Sequence, residues 1–534
     1  MTMHFCQITA VRSRFENLTI LSCFTLIFVL STPALPQDVL TYHNSTTRTG
    51  QNNNETILTP ANVNSATFGR LFTIPVDGKV DAQPLYLSAV FVSGVVHNLL
   101  IVATEHDSVY ALDAETGEKI WQVSALKSGE TTSDARGCDQ VVPEIGVTAT
   151  PVITRPTGSN PVIYVVAMSK DSSGNYHQRL HALDATTGSE LHNGPVEIQA
   201  KYPGTGDSNK NGFVIFEPGQ YKERAALLLA NGTIYLSWAS HCDFRPYTGW
   251  IMGYSQSLVQ TTVFNITPNG NEGAFWGSGC AIAADQGNIF ALAANGVFDT
   301  TLNASGFPGE GDYGNGFVRL INSHGLQVAD YFVMDNQAAE NDTDEDLGSG
   351  GPLLVNVKDL KGNSWQLGIG AGKDGNLYVV DRTNMGKFHP DSNEIYQELE
   401  GALPGGIWST PAFFLEYVYY GPVGSPILAF QFHNAKLLPK PVAKTANAFG
   451  YPGASPSVSS NGSQNSIVWA AENTSPAVLH AYNAITLKEL YNSNQAADGR
   501  DHFGDGNKFI TPTITNGKVY VGTTDSVGVF GLLK

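Results

Sequence analysis

The stretch LLIVATEHDSVYALDAETGEKIWQ, residues Leu99 to Gln122, decides how this chain must fold. Leu99 to Ala103 is an apolar run of strand length, and Thr104 to Asp107 is a polar turn. A second apolar run, Val109 to Leu112, is closed by the turn residues Asp113 to Gly117 before Ile120-Trp121 opens a third. Apolar runs this short, separated by turns this tight, read as consecutive antiparallel strands, because parallel pairing needs a much longer crossover. Just upstream, AQPLYL supplies one more strand, opening next to a proline.

The same phrase returns along the chain. It appears as ATPVI…VIYVVAMSKDSSGNYHQRLHALDATTGSEL, AALLLANGTIYLSWASHCDFRPYTGWIMGYS and GCAIAADQGNIFALAANG…NGFVRLINSHG. It continues as GPLLV…QLGIGAGKDGNLYVVDRTNMG, STPAFF…YVYYGPVGSPILAFQFHN, ASPSV…SIVWAAENTSPAVLHAYNAITLKEL and TPTITNGKVYVGTTDSVGVFGLLK. Prolines Pro352, Pro411, Pro456 and Pro512 mark successive starts 59, 45 and 56 residues apart, a spacing that suits four-stranded propeller blades with variable loops. The last unit ends one strand short, while FGRLFTIPVDG, from Phe68, stands unpaired before the first. Joining the two would remove a pair of sheet edges. The expected fold is therefore all-β: an eight-bladed propeller of four-stranded antiparallel blades closed by its N-terminal strand, with seven blades as the alternative.

Composition agrees. Among 534 residues, 55 glycines, 21 tyrosines and 26 phenylalanines favour many short strands, and no long segment keeps a helical apolar period. The net charge of −18 argues against nucleic acid or anionic lipid as partner, since both reward a basic surface. Arg12 and Arg14 precede an apolar run from Leu18 to Leu30, too short to span a membrane. We read residues 1–36 as an export signal, 37–66 as an N-terminal extension and 67–534 as the propeller, giving a secreted or periplasmic monomer. Cys138, Cys242 and Cys280 remain after export, enough for one disulfide and without zinc-type spacing.

The phrase from Ala111 to Trp121, Ala-x-Asp-x-x-Thr-Gly-x-x-x-Trp, resembles the tryptophan-docking repeat of the pyrroloquinoline quinone (PQQ) type propellers. The resemblance implies that Trp121 docks on a neighbouring blade, with Gly117 in the turn. ALDATTGSEL (182–191) lacks the tryptophan, and AYNAITLKEL (481–490) lacks the aspartate and glycine as well.

In a propeller, the turn between the second and third strands opens on the face where the innermost strand begins. Glu105 to Asp107, Lys170, His241 to Arg245, Asp285-Gln286, Lys373-Asp374, Glu472 and Asp525 are read as such turns, with Asp81, Trp276, Asp346, Trp408 and Lys508 on the lead-in segments. Several of these positions are similar to the cofactor site of quinoprotein alcohol dehydrogenases. The resemblance implies that Trp276, in AFWGSGC, floors the quinone and that Asp243 and Asn295 hold calcium. It gives Asp344 and Asp346, in ENDTDED, the catalytic role. KDGNLYVVDRTNMG then puts Lys373 on the cofactor, with Lys170 and Arg245 as further cations for its carboxylates. PQQ and calcium are the implied cofactors, and an alcohol or sugar the implied substrate. The alternative is a propeller without catalysis that binds a ligand or a protein. The chain departs from the family in having Cys138 where adjacent cysteines are expected, without the arginine that follows them, and it has no haem-attachment motif.

Overall fold

The computed structural model describes residues 37–534, so the export-signal reading lies outside the described residues. Among these, eight sheets of four or five strands follow one another along the chain, antiparallel except where Gln51–Asn52 joins Ser457–Asn461 in parallel. The first consists of Leu85–Val92, Val95–Ala103, Ser108–Asp113 and Lys119–Ser124 in sequence order. Burial is graded across it. Ser108–Asp113 is buried on both faces, whereas the outermost strand, Lys119–Ser124, alternates between exposed and half-buried residues. Sheets covered on both sides explain why the strands read as near-continuous apolar runs.

The turn after the third strand shows how neighbouring sheets lock. Asp113 Oδ1 accepts hydrogen bonds from the amides of Glu115 and Thr116, and Asn483 Oδ1 does the same for Ile485 and Thr486. That local cap aims the following carbonyl outward. Trp121 Nε1 donates to the Ala185 carbonyl at 3.0 Å, and a Cβ on Gly188 would lie 2.8 Å from the Trp121 ring. The tryptophan thus docks on the next sheet and needs a glycine beneath it. Where the tryptophan is lost, tyrosines take over the same bond. Tyr520 donates to the Ala114 carbonyl and Tyr419 to that of Ala484.

Phe68–Pro75 pairs antiparallel with Ser526–Leu532, Phe68 opposite Leu532 and Pro75 opposite Ser526. The N-terminal strand therefore completes the C-terminal sheet. Upstream of it, residues 39–52 act as a hub. Val39 bridges to Tyr86, the Leu40 carbonyl accepts from Ile153, and Thr46, Thr47, Thr49 and Gly50 accept from Ala284, Leu354, Phe413 and Val458. Arg48 reaches the Leu227 carbonyl and Asn52 that of Ile514. Each of the eight sheets is touched at least once on or beside its first strand. Arg48 is completely buried, and its guanidinium also donates to the Ile282 carbonyl, Thr41 Oγ1 and the Tyr42 carbonyl. Such complete satisfaction is what a buried cation requires.

Cys138 and Cys242 form a disulfide, 104 residues apart, and Cys280 is a buried free thiol. Among the described residues no helix is long and apolar enough to cross a membrane.

Candidate active-site funnel

One turn assignment needs correction. Asp285-Gln286-Gly287-Asn288 resembles Lys373-Asp374-Gly375-Asn376, but it joins the first and second strands of its sheet, Ile282–Asp285 and Asn288–Leu292. Gln286 and Gly287 both take positive φ (48° and 84°), the conformation of a two-residue hairpin. Asp285 accordingly pairs with Arg382 at 2.6 Å, away from the funnel. The corresponding turn of this sheet is the long loop after Leu292, which carries Asn295 near its start.

A cavity of about 310 Å³ opens where the lead-in segments and turns of the middle units meet, lined among others by Asp243, Trp276, Asp344, Asp346 and Lys373. Different units supply them. Asp243 follows the second strand of the third sheet, and Trp276 precedes a 3-10 turn, Gly277–Gly279, that leads into the fourth. Asp344 caps the short helix Gln337–Thr343 in a left-handed conformation (φ 61°), which turns the chain so that Asp346 can lead into the fifth sheet. Lys373 stands in the turn between the fifth sheet's second and third strands, its amide donating to the Asp346 carbonyl.

The charges are closely coupled. Lys373 Nζ lies 2.8 Å from Asp344 Oδ1 and 2.6 Å from Asp346 Oδ2, and 5.9 Å from the centre of the Trp276 ring. Burial pushes the Asp346 carboxyl up to about 6, although Lys373 pulls the other way. Burial works against the charge on Lys373, but the two carboxylates prevail and raise its pKa. Asn295 touches both acids: its amide donates to Asp346 Oδ1 at 2.7 Å and its Nδ2 to Asp344 Oδ1 at 3.3 Å. Asn295 Oδ1 is left buried without a partner. Asp243 Oδ1 accepts from Ser240 Oγ and Tyr247 Oη.

Three expected members are not on the cavity wall: Asn295 stands behind Asp344 and Asp346, and two cations lie elsewhere. Lys170 and Arg245 are not among the cavity-lining residues, because each is held by its own carboxylate. Lys170 pairs with Asp134 at 2.7 Å, and Arg245 grips Asp207 through two nitrogens at 2.8 and 2.9 Å. The cations that do line the cavity are Lys222 and Arg224, together with Lys373. Both come from the segment YKERAALLL leading into the third sheet, where a basic pair immediately before an apolar strand was the available signal. Cys242 also lines the cavity, so the disulfide ties the 131–146 region to the funnel wall. Among the described residues no cluster of three or more His, Cys, Asp or Glu side chains is arranged to hold a metal; the oxygen donors here include an asparagine.

Comparison with known proteins supports this architecture. Residues 64–233 match the sequence family described as outer membrane protein assembly factor BamB. No curated protein matches the chain. The structure is similar to the quinohemoprotein alcohol dehydrogenase of Comamonas testosteroni, with a TM-score of 0.60 at 15% identity over 93% of this chain and 80% of that one. A europium-containing methanol dehydrogenase gives a TM-score of 0.59 at 13% identity, over 93% of this chain and 98% of that one. At these identities the likeness is one of fold. The segment match and the fold together make this chain similar to the PQQ-like β-propeller proteins.

Proposed function

We propose that this protein is an exported, calcium- and quinone-dependent oxidoreductase of alcohol or sugar groups, each of its eight sheets being one blade. One observation carries the reading: Asp243, Trp276, Asp344, Asp346 and Lys373, scattered over 131 positions by number, line a single cavity. Its volume, about 310 Å³, is within the usual range of small-molecule sites. The residues fit the implied groups. Asn295 Oδ1, an orphaned buried acceptor beside Asp344 and Asp346, together with Asp243, offers the hard oxygen donors that calcium prefers. Trp276 offers a flat aromatic face to a planar ring system.

When bound, the quinone supplies a two-electron acceptor and calcium a Lewis acid. The chain's own residues do the remaining work. Asp346, at about 6, is ionised near neutral pH and basic enough to take the hydroxyl proton of an alcohol. Lys373 holds Asp344 and Asp346 in place and carries a charge that a quinone oxygen or carboxylate can meet. The Cys138–Cys242 disulfide is what an oxidising compartment permits, in keeping with export.

A second reading, a propeller that binds a protein or ligand without catalysis, is favoured by the match of residues 64–233 to an assembly-factor family. Dye reduction separates the two. Protein incubated with PQQ and calcium should reduce an artificial acceptor in the presence of simple alcohols or sugars and lose that activity on chelation. Dye reduction no different from the protein-free control would leave the binding reading in possession.

A further inference from the structure

The acid beside the basic side of the funnel floor, Asp81, is committed to other partners. Arg224 lies between two rings, its guanidinium carbon 4.4 Å from the centre of Phe509 and 5.9 Å from that of Trp276. It lines both the funnel and a small adjoining pocket whose walls include Tyr42, Thr150 and Lys508. Yet among the described residues no carboxylate or carbonyl accepts a hydrogen bond from its guanidinium. Asp81, the nearest acid in charge terms, is already held by Lys79 at 3.2 Å and by Asn507.

Two further cations share this condition. Lys508 Nζ sits 5.5 Å from the Tyr451 ring with no carboxylate within ion-pair reach among the described residues. Lys222 is buried, and its Nζ meets only the Cys138 sulfur, at 2.6 Å. Burial lowers the pKa of both lysines, Lys222 to about 7, and Arg224 is the next cause in each case, so both lysines feel the Arg224 charge. In a chain of net charge −18 with 48 acidic residues, acids to pair with them are not scarce. Elsewhere Lys170, Arg179, Arg245 and Arg382 each hold a carboxylate.

We propose that Arg224, Lys508 and Lys222 form an anion-binding site on the funnel floor that takes a carboxylate or phosphate group of the ligand. Lys222 is buried and Arg224 and Lys508 half-buried; cations partly withdrawn from water without an acid partner are costly, and a ligand anion would relieve that cost. Phe509 and Trp276 contact the Arg224 guanidinium, and that planar group suits bidentate binding of a carboxylate or phosphate. The site rests on the same cavity as the quinone reading but does not require a quinone. Its anion could belong to a cofactor carboxylate or to an acidic substrate.

The test is calorimetric titration of the full-length exported protein with PQQ, with malonate and with inorganic phosphate, at low and high salt. Arg224→Gln, Arg224→Lys, Lys508→Gln and Arg245→Gln are compared with wild type, and near-UV circular dichroism verifies that each is folded. The site predicts that at least one probe binds, at least 10-fold more weakly in Arg224→Gln, with partial recovery in Arg224→Lys. Lys508→Gln should weaken it several-fold, and Arg245→Gln should not change it. Malonate or phosphate binding that depends on Arg224 without PQQ binding would uphold the anion site and remove the quinone reading. PQQ binding within twofold of wild type in both Arg224→Gln and Lys508→Gln would overturn the site and spare the quinone. Failure of all three probes on wild type would overturn both.

Discussion

Arg48 is a buried cation and Arg224 a half-buried one, and their surroundings could hardly differ more. Arg48, in the hub, gives its donors to Thr41 Oγ1 and to the carbonyls of Tyr42, Leu227 and Ile282. Arg224, on the funnel floor, is clasped by Phe509 and Trp276 and has no acceptor among the described residues. The first arrangement is finished within the chain and therefore structural. The second is unfinished and therefore points to a ligand. On an acidic propeller, the meaning of a cation is set by whether it already has a partner.

That contrast can be broken or sharpened by substitution. The largest effect is expected on the acid side of the funnel. Asp346→Asn should lower dye reduction by about 10² to 10⁴-fold, the usual worth of a positioned general base, while leaving PQQ affinity within a few-fold of wild type. In the hub, Arg48→Ala removes the donors to Thr41 Oγ1 and to the carbonyls of Tyr42, Leu227 and Ile282, so urea denaturation should show a loss of about 3 kcal/mol or more. Arg224→Ala should cost less than about 1 kcal/mol on the same assay, because it breaks no hydrogen bond within the chain. Equal losses for the two arginines would erase the distinction. Next in size is pH. The Asp346 carboxyl is raised to about 6, so its basic form is lost as pH falls through that value. The rate of dye reduction should decline below about pH 6 and level off above it, and a pH–rate profile flat from 5 to 8 would remove Asp346 as the base. Smallest is Arg245→Gln, an exposed pair with Asp207, expected to alter neither activity nor stability beyond about 0.5 kcal/mol.

The contrast also explains what could be read without coordinates. The propeller was legible because Asp113, Asp184 and Asn483 write the same turn into the chain, and because an incomplete last unit faced an orphan strand at Phe68. The hub was not. Residues 39–52 have no periodicity, and their partners lie as far as Ile514. Trp276, Asp346 and Lys373 could be placed at the funnel from their positions relative to strands. Lys170 and Arg245 had similar positions, but sequence does not reveal that Asp134 and Asp207 fold back onto them. Asp285-Gln286 was misassigned for a related reason: a polar turn followed by an apolar strand looks the same on either face of a blade. Arg224 stands on a lead-in segment as Trp276 and Asp346 do, and only three-dimensional packing shows that its guanidinium has no acceptor among the described residues.

The measurement that bears most directly on the central claim is titration of PQQ into the wild-type protein, following tryptophan fluorescence with and without calcium. Trp276 on the cavity wall predicts saturable quenching that strengthens with calcium and weakens by about 10-fold or more in Lys373→Met, the loss of one charge-assisted bond. Fluorescence that does not change with PQQ at any calcium concentration would contradict the quinone site.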